Sequence, residues 1–157
     1  ERFDLAIRLG RMHDSNLRAV QLSTFEVFAV AAPGLIERFA PVATLATLES
    51  MPTLGHGRVP EMTVTDPHGA EHFYQPKPGT TAIVADNSAT LRAFALTGQG
   101  VAILPQWLIQ EDLQAGRLTR LLADHRFAQQ GVYALYPDTR HLPLKVRAFI
   151  DFMKGWG

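Results

Sequence analysis

Among the residues able to do chemistry, Asp86-Asn87-Ser88 stands in the most informative place. The tripeptide follows the short apolar run Ala82-Ile83-Val84 and precedes Ala89 to Thr97, in which Leu91, Phe94 and Ala95 recur at helical spacing. A turn from strand to helix start offers unpaired backbone N–H groups, which suit an anion or a carbonyl. Ser88 also fits as the helix N-cap, and the two roles are compatible.

Other groups reduce to simpler readings. Gly98-Gln99-Gly100 follows a helix and opens a strand, the reverse of a nucleotide-binding glycine loop. His68 and His72, with Glu71 or Asp66, have a spacing that would grip a metal on a helix, but they flank a hairpin turn and read as surface histidines. His13, His125 and His141 read the same way, so no metal site is expected. Ser15, Ser23, Ser50 and Ser88 lie in no nucleophile elbow, and Asp124-His125 is a sequential pair, which is no evidence of a dyad. Trp107 reads as a packing residue, with an aromatic cleft wall as the alternative. No catalytic constellation results, and no cofactor is expected.

The elements that must position these residues begin with a βαβ unit from Ala82 to Leu108. Gly98 stands as a C′ glycine, Gly100 to Leu104 is a second strand expected parallel to the first, and Pro105 suits the first position of the next helix. Such a pair carries the Asp86 turn to the carboxyl end of a sheet, where open α/β folds bind ligands.

Upstream, Phe3 to Gly10 reads as a strand running into a loop, Leu17 to Leu22 as an exposed or edge strand, and Glu26 to Ala32 as a more apolar one. Short helical turns follow at Leu35 to Phe39 and Thr44 to Leu48. Thr53 to His56 is a brief strand in which Gly55 permits close approach of backbone or ligand. Met62 to Thr65 and Glu71 to Gln75 form a hairpin about Asp66-Pro67-His68-Gly69. Downstream come a helix from Gln106 to Gln114, an extended piece from Leu118 to Leu122, a polar loop from Asp124 to Gln130, a strand from Gly131 to Pro137 and an amphipathic helix from Pro143.

Composition bounds the possibilities. With 157 residues, 46% of them hydrophobic, the chain can pack a core as one domain or two lobes. Fifteen basic and fifteen acidic residues leave no formal net charge, which argues against this segment being a nucleic-acid surface. The absence of cysteine excludes disulfides and thiol chemistry and fits a reducing compartment. The longest apolar run, Val27 to Ile36, is broken by Pro33-Gly34 and is too short to span a bilayer.

The order of Phe3-Asp4-Leu5-Ala6-Ile7-Arg8-Leu9-Gly10, Val84-Ala85-Asp86-Asn87, Gly98 to Pro105, Gly116-Arg117-Leu118 and Leu142 to Asp151 resembles the C-terminal regulatory domain of LysR-type transcriptional regulators over nearly the whole chain. The resemblance implies an α/β fold of two Rossmann-like lobes, as in type 2 periplasmic binding proteins, with an inducer cleft between them. Lobe one would be residues 1–32 plus 131–157 and incomplete, and lobe two residues 33–130, with crossings near Ala31 to Pro33 and Ala128 to Gly131. The winged helix-turn-helix DNA-binding domain and the first part of lobe one would lie upstream.

It further implies a sensor and not an enzyme. Arg8, Leu9, Gly10, Gly55, His56, Asn87 and Ser88 would contact a small-molecule effector, an organic acid being one candidate class, with Arg8 supplying paired N–H donors. The competing account of Arg8 is a bridge to a structural carboxylate. A cytoplasmic homodimer or homotetramer, touching DNA through the upstream domain and no membrane, would follow. A transporter's extracytoplasmic solute-binding receptor is the alternative.

Overall fold

The computed structural model describes residues 4–10, 17–57, 62–138 and 143–155. The first half carries β1 (Ala6–Leu9), β2 (Leu17–Phe25), β3 (Val27–Ala31), α1 (Pro33–Glu37), α2 (Leu45–Glu49), β4 (Thr53–His56), β5 (Met62–Thr65) and β6 (Glu71–Tyr74). The second carries β7 (Thr81–Ala85), α3 (Ser88–Leu96), β8 (Val101–Pro105), α4 (Gln106–Gln114), β9 (Thr119–Arg120), β10 (Arg126–Phe127), β11 (Gln130–Pro137) and α5 (Leu144–Lys154).

Two compact units result, one of Glu1–Phe25 with Gln129–Gly157 and one of Glu26–Ala128. The first junction therefore precedes the one expected near Ala31 to Pro33. The reason is β3, whose ladder partners β8 and β9 both belong to the second unit, so Val27–Ala31 folds there and not with residues 1–25. The return falls between Ala128 and Gln129.

The first unit is an antiparallel sheet in the order β1-β11-β2. Along α5, Val146, Ile150 and Met153 recur at helical spacing and pack on Val20, Leu22, Val132 and Ala134. β2 lies at one edge, as its alternating sequence implies. β1 lies at the other, with Ile7 43% and Leu9 54% exposed.

The second unit contains a five-stranded sheet in the order β7-β4-β8-β3-β9. β7 and β8 are parallel as expected, but β4 is inserted between them and pairs with both. α3 and α4 pack Leu91, Ala95 and Ile109 onto Val30, Leu54, Ala102 and Leu104. At Gly100 an added Cβ would stand 2.9 Å from the Pro52 carbonyl oxygen and 3.1 Å from Leu54 Cγ, so β8 enters the sheet where only glycine fits.

A smaller sheet runs β10-β5-β6. Its turn is held by Asp66, whose Oδ1 accepts from His68 N and Ala70 N, each at 2.9 Å. Gly69 adopts a φ of +86°, which the turn requires. β10 falls inside the segment expected to be a polar loop. Arg126–Phe127 pairs with β5, and Phe127 sits edge-on to Tyr74 with ring centroids 6.0 Å apart. Two residues are too few to leave a periodic signal.

Candidate functional site

Arg8, Leu9 and Gly10 lie in the first unit, and Gly55, His56, Asn87 and Ser88 in the second. Within the second unit the ladder between β4 and β7 sets Gly55 opposite Val84 and His56 opposite Ala85. The carboxyl ends of two parallel strands thus meet the start of α3, so four of the residues singled out from the sequence share one sheet edge.

That edge is closely fitted. Gly57 N donates to Ala85 O at 3.1 Å, and the Asp86 carboxylate occupies the space that a Cβ on residue 57 would need. At Gly55 an added Cβ would fall 3.5 Å from Val84 Cγ2 and 3.6 Å from Thr81 Cγ2, ordinary contact distances, so the close fit is at residue 57. The backbone of β4 is therefore bare at its exit, and a carboxylate overhangs it.

The helix cap differs from the expectation. Asn87, not Ser88, is the N-cap of α3: its Oδ1 accepts from Ala89 N at 2.8 Å and Thr90 N at 3.4 Å, while Ser88 is the first helical residue. Asparagine and serine both serve as caps, and one-residue shifts of helix ends are invisible to periodicity. Asn87 therefore consumes two of the N–H groups counted as available to an anion. Asn87→Ala should destabilise the protein by about 1 kcal/mol and Ser88→Ala by less than about 0.5 kcal/mol, measured by urea unfolding.

Pro105 likewise ends β8 and stands at the N-cap position of α4, not at its first helical position. Trp107, one residue into α4, is 58% exposed and is not the packing residue expected.

The remaining candidates resolve as follows. The Asp66 carboxyl is drawn down to about 2 by its bond from His72 and by the two backbone donors of its own turn. His72 Nε2 lies 2.9 Å from Asp66 Oδ2, so this acid is committed to the hairpin. Among the described residues no three His, Asp or Glu side chains are grouped to hold a metal. Ser23 and Ser50 donate to the backbone carbonyls of Thr24 and Ala46. His125 is not a surface histidine but is buried, with Nδ1 2.7 Å from Asp124 Oδ1. His13, Ser15 and His141 lie outside the described residues.

Sequence reasoning missed one charged cluster. Arg92 of α3 donates to Asp112 of α4 through Nε at 2.5 Å and Nη2 at 3.0 Å, and Arg117 adds Nε at 2.9 Å. Asp112 is fully buried. Its signal was present: Asp112 falls three residues after Ile109 and beside Leu113, on the apolar side of the helix, where a carboxylate must be paired.

Comparison with known proteins fits this architecture. The family described as LysR substrate binding domain matches residues 1–157. The chain is 37% identical to the HTH-type transcriptional regulator PtxR of Pseudomonas aeruginosa, over 98% of this chain and 49% of that protein. It is 29% identical to the HTH-type transcriptional activator AaeR of Escherichia coli, again over 98% of this chain and 49% of the relative. The chain thus spans about half the length of these curated relatives.

Among solved structures, the CrgA regulatory domain of Neisseria meningitidis superposes with a TM-score of 0.71 at 27% identity, covering 98% of this chain and 74% of that one. The regulatory domain of AphB from Vibrio vulnificus gives 0.74 at 25% identity, covering 99% and 76%. These relatives are transcriptional regulators and not transporter receptors, so the receptor alternative is not favoured. No helix among the described residues is long and apolar enough to cross a membrane. With its full length matched and its fold shared with LysR-type regulatory domains, this chain belongs to the LysR substrate binding domain family.

Proposed function

We infer that the chain is the ligand-sensing regulatory portion of a bacterial, cytoplasmic LysR-type transcriptional regulator. The observation that carries this reading is the family match across all 157 residues, together with relatives that are themselves transcriptional regulators. A small-molecule effector is bound and not transformed; the residues proposed for contact are Arg8, Leu9 and Gly10 in the first unit and, considered separately, Gly55, His56, Asn87 and Ser88 in the second. Arg8 suits an acidic group, since a guanidinium holds a carboxylate through paired donors. Within the second unit, the β4–β7 edge is the candidate contact surface, where polar atoms and bare backbone coincide.

Sensing follows from differential affinity. A ligand that binds one conformation of the domain better than another shifts the population toward it by the difference in its binding free energies. The regulator reads out that shift at DNA through a winged helix-turn-helix segment outside this sequence, as a homodimer or homotetramer.

The test is thermal unfolding of the full-length regulator with a panel of aromatic and aliphatic acids. A cognate effector at about one hundred times its Kd adds about 2.7 kcal/mol to stability and raises the Tm. The same compound is expected to alter operator binding and to be recovered unchanged. A panel in which no compound shifts the Tm, or in which the binding compound is consumed, overturns the reading.

A further inference from the structure

The chain builds its two units in different ways. The second is one unbroken stretch, Glu26–Ala128, whereas the first is assembled from two separate segments, Glu1–Phe25 and Gln129–Gly157. Residues preceding Glu1 in a longer chain would lie on the same side of Glu26, so the interruption does not depend on where the sequence begins.

Neither segment of the first unit holds a ladder of its own among the described residues. β11 stands between β1 and β2, so both ladders of that sheet, from Ala6 opposite Leu135 to Phe25 opposite Gln130, join one segment to the other. Its core does the same: Leu22 comes from one segment, and Ala134, Val146 and Ile150 from the other. The hydrogen bond from the Thr24 hydroxyl to Gln129 Oε1, at 3.2 Å, also spans the gap. The second unit needs no such help, since the strands of its two sheets pair only with one another.

Chain entropy makes the difference matter. With residues 26–128 unfolded, the first unit would have to close a loop of roughly a hundred residues, which lowers its folding equilibrium constant roughly a thousandfold relative to a contact between neighbours. Folding of the second unit removes most of that factor beforehand. Within it β10 lies against β3, and Ala128 N donates to Thr63 O at 2.8 Å, so the entering and leaving strands are held near each other.

The first unit has little with which to offset that factor alone. Its segments together amount to roughly fifty residues, a size at which a core is marginal, and Leu22 in that core is still 8% exposed. The main cluster of the second unit has eight residues, none more than 3% exposed.

We propose that the first unit is a conditional element: it orders only on a folded second unit, and it opens as a whole while the second stays intact. The closed protein, the form with the first unit open and the unfolded chain then follow one another in that order. An opening confined to one unit is a two-state element, and any molecule that prefers the closed form acts on it by mass action.

The test is native-state hydrogen exchange of the 157-residue chain over rising urea, read by mass spectrometry. In the parent, amides of β2, β11 and α5 are expected to exchange through an opening of lower free energy and weaker urea dependence than amides of β4, β8 and α3. Two methylene deletions then fix the order. Ile109→Val, in the core of the second unit, should speed exchange roughly two- to tenfold in β4, β8 and α3 and leave β2, β11 and α5 unchanged. Ile150→Val, in the core of the first, should speed both sets by the same factor, because opening of the second unit includes opening of the first.

A single opening free energy shared by all amides of the parent overturns the proposal. So does faster exchange confined to the first unit in Ile150→Val, the mark of two independent units, or faster exchange of β2, β11 and α5 in Ile109→Val, the mark of a first unit that does not open by itself.

Discussion

Asp112→Ala is expected to destabilise the protein by about 3–5 kcal/mol, among the largest losses available to a single substitution. Asp112 is fully buried, and three donors from Arg92 and Arg117 converge on its two oxygens. It also ties backbone to backbone, since its carbonyl accepts from Arg117 N at 2.9 Å and Leu118 N at 3.2 Å. Alanine keeps those backbone bonds but leaves two guanidinium groups without their counter-ion. Their side chains are 33% and 52% exposed, so each regains some water and the loss should sit near the lower figure of about 3 kcal/mol. Asp112→Asn keeps shape and acceptors, loses the charge, and should cost less.

The same acid gives the protein a pH limb. Arg92, and after it Arg117, hold the Asp112 carboxyl below its ordinary value against the opposing effect of burial. A depressed folded value means the stabilisation is fully present above the unfolded pKa, about 4, and is lost as pH falls through the folded one. Urea unfolding of the parent should therefore show falling stability below about pH 4. In Asp112→Asn that acid limb should be shallower, and an unchanged limb would remove Asp112 from the account.

The fold was legible in the sequence wherever one local signal decided it. The β5–β6 hairpin and α4 follow from a β-branched run, Asp-Pro turn chemistry and a glycine stop. Gly98 and Gly116 stand at φ +75° and +68°, where C′ glycines belong. What stayed hidden depends on contacts distant in sequence. Nothing local places β4 between β7 and β8, or moves β3 from one unit to the other, because ladder partners are chosen by the whole sheet.

The site divides the same way. Residue types at strand ends pointed to His56 and Asn87, and the structure brings both to one edge. The roles of Asn87 and Ser88 were exchanged because both cap well and the helix start shifted by one residue. That Arg8, Tyr133 and Gln21 share one row was hidden in the sequence, since the row exists only once two ladders and a bulge have fixed the register.

Leu91→Ala is the other large expected loss, about 3 kcal/mol, and it tests what holds the α3 start against the sheet. The sequence places Leu91, Phe94 and Ala95 together on one apolar face, yet the structure buries Leu91 and Ala95 completely and leaves Phe94 37% exposed. Leu91 sits in the cluster with Leu54 of β4 and Ala102 and Leu104 of β8, and β4 is one of the two strands whose carboxyl ends form the site. Truncation leaves a cavity between α3 and that sheet, and close packing allows partial collapse at most. Phe94→Ala removes a larger side chain that already contacts water and should cost less than Leu91→Ala despite its size. Urea unfolding of the two variants should rank them in that order. The reverse ranking would mean that α3 is held by its rim and not by the core beneath it, and the β4–β7 edge would then lack the rigid support on which a preorganised ligand site depends.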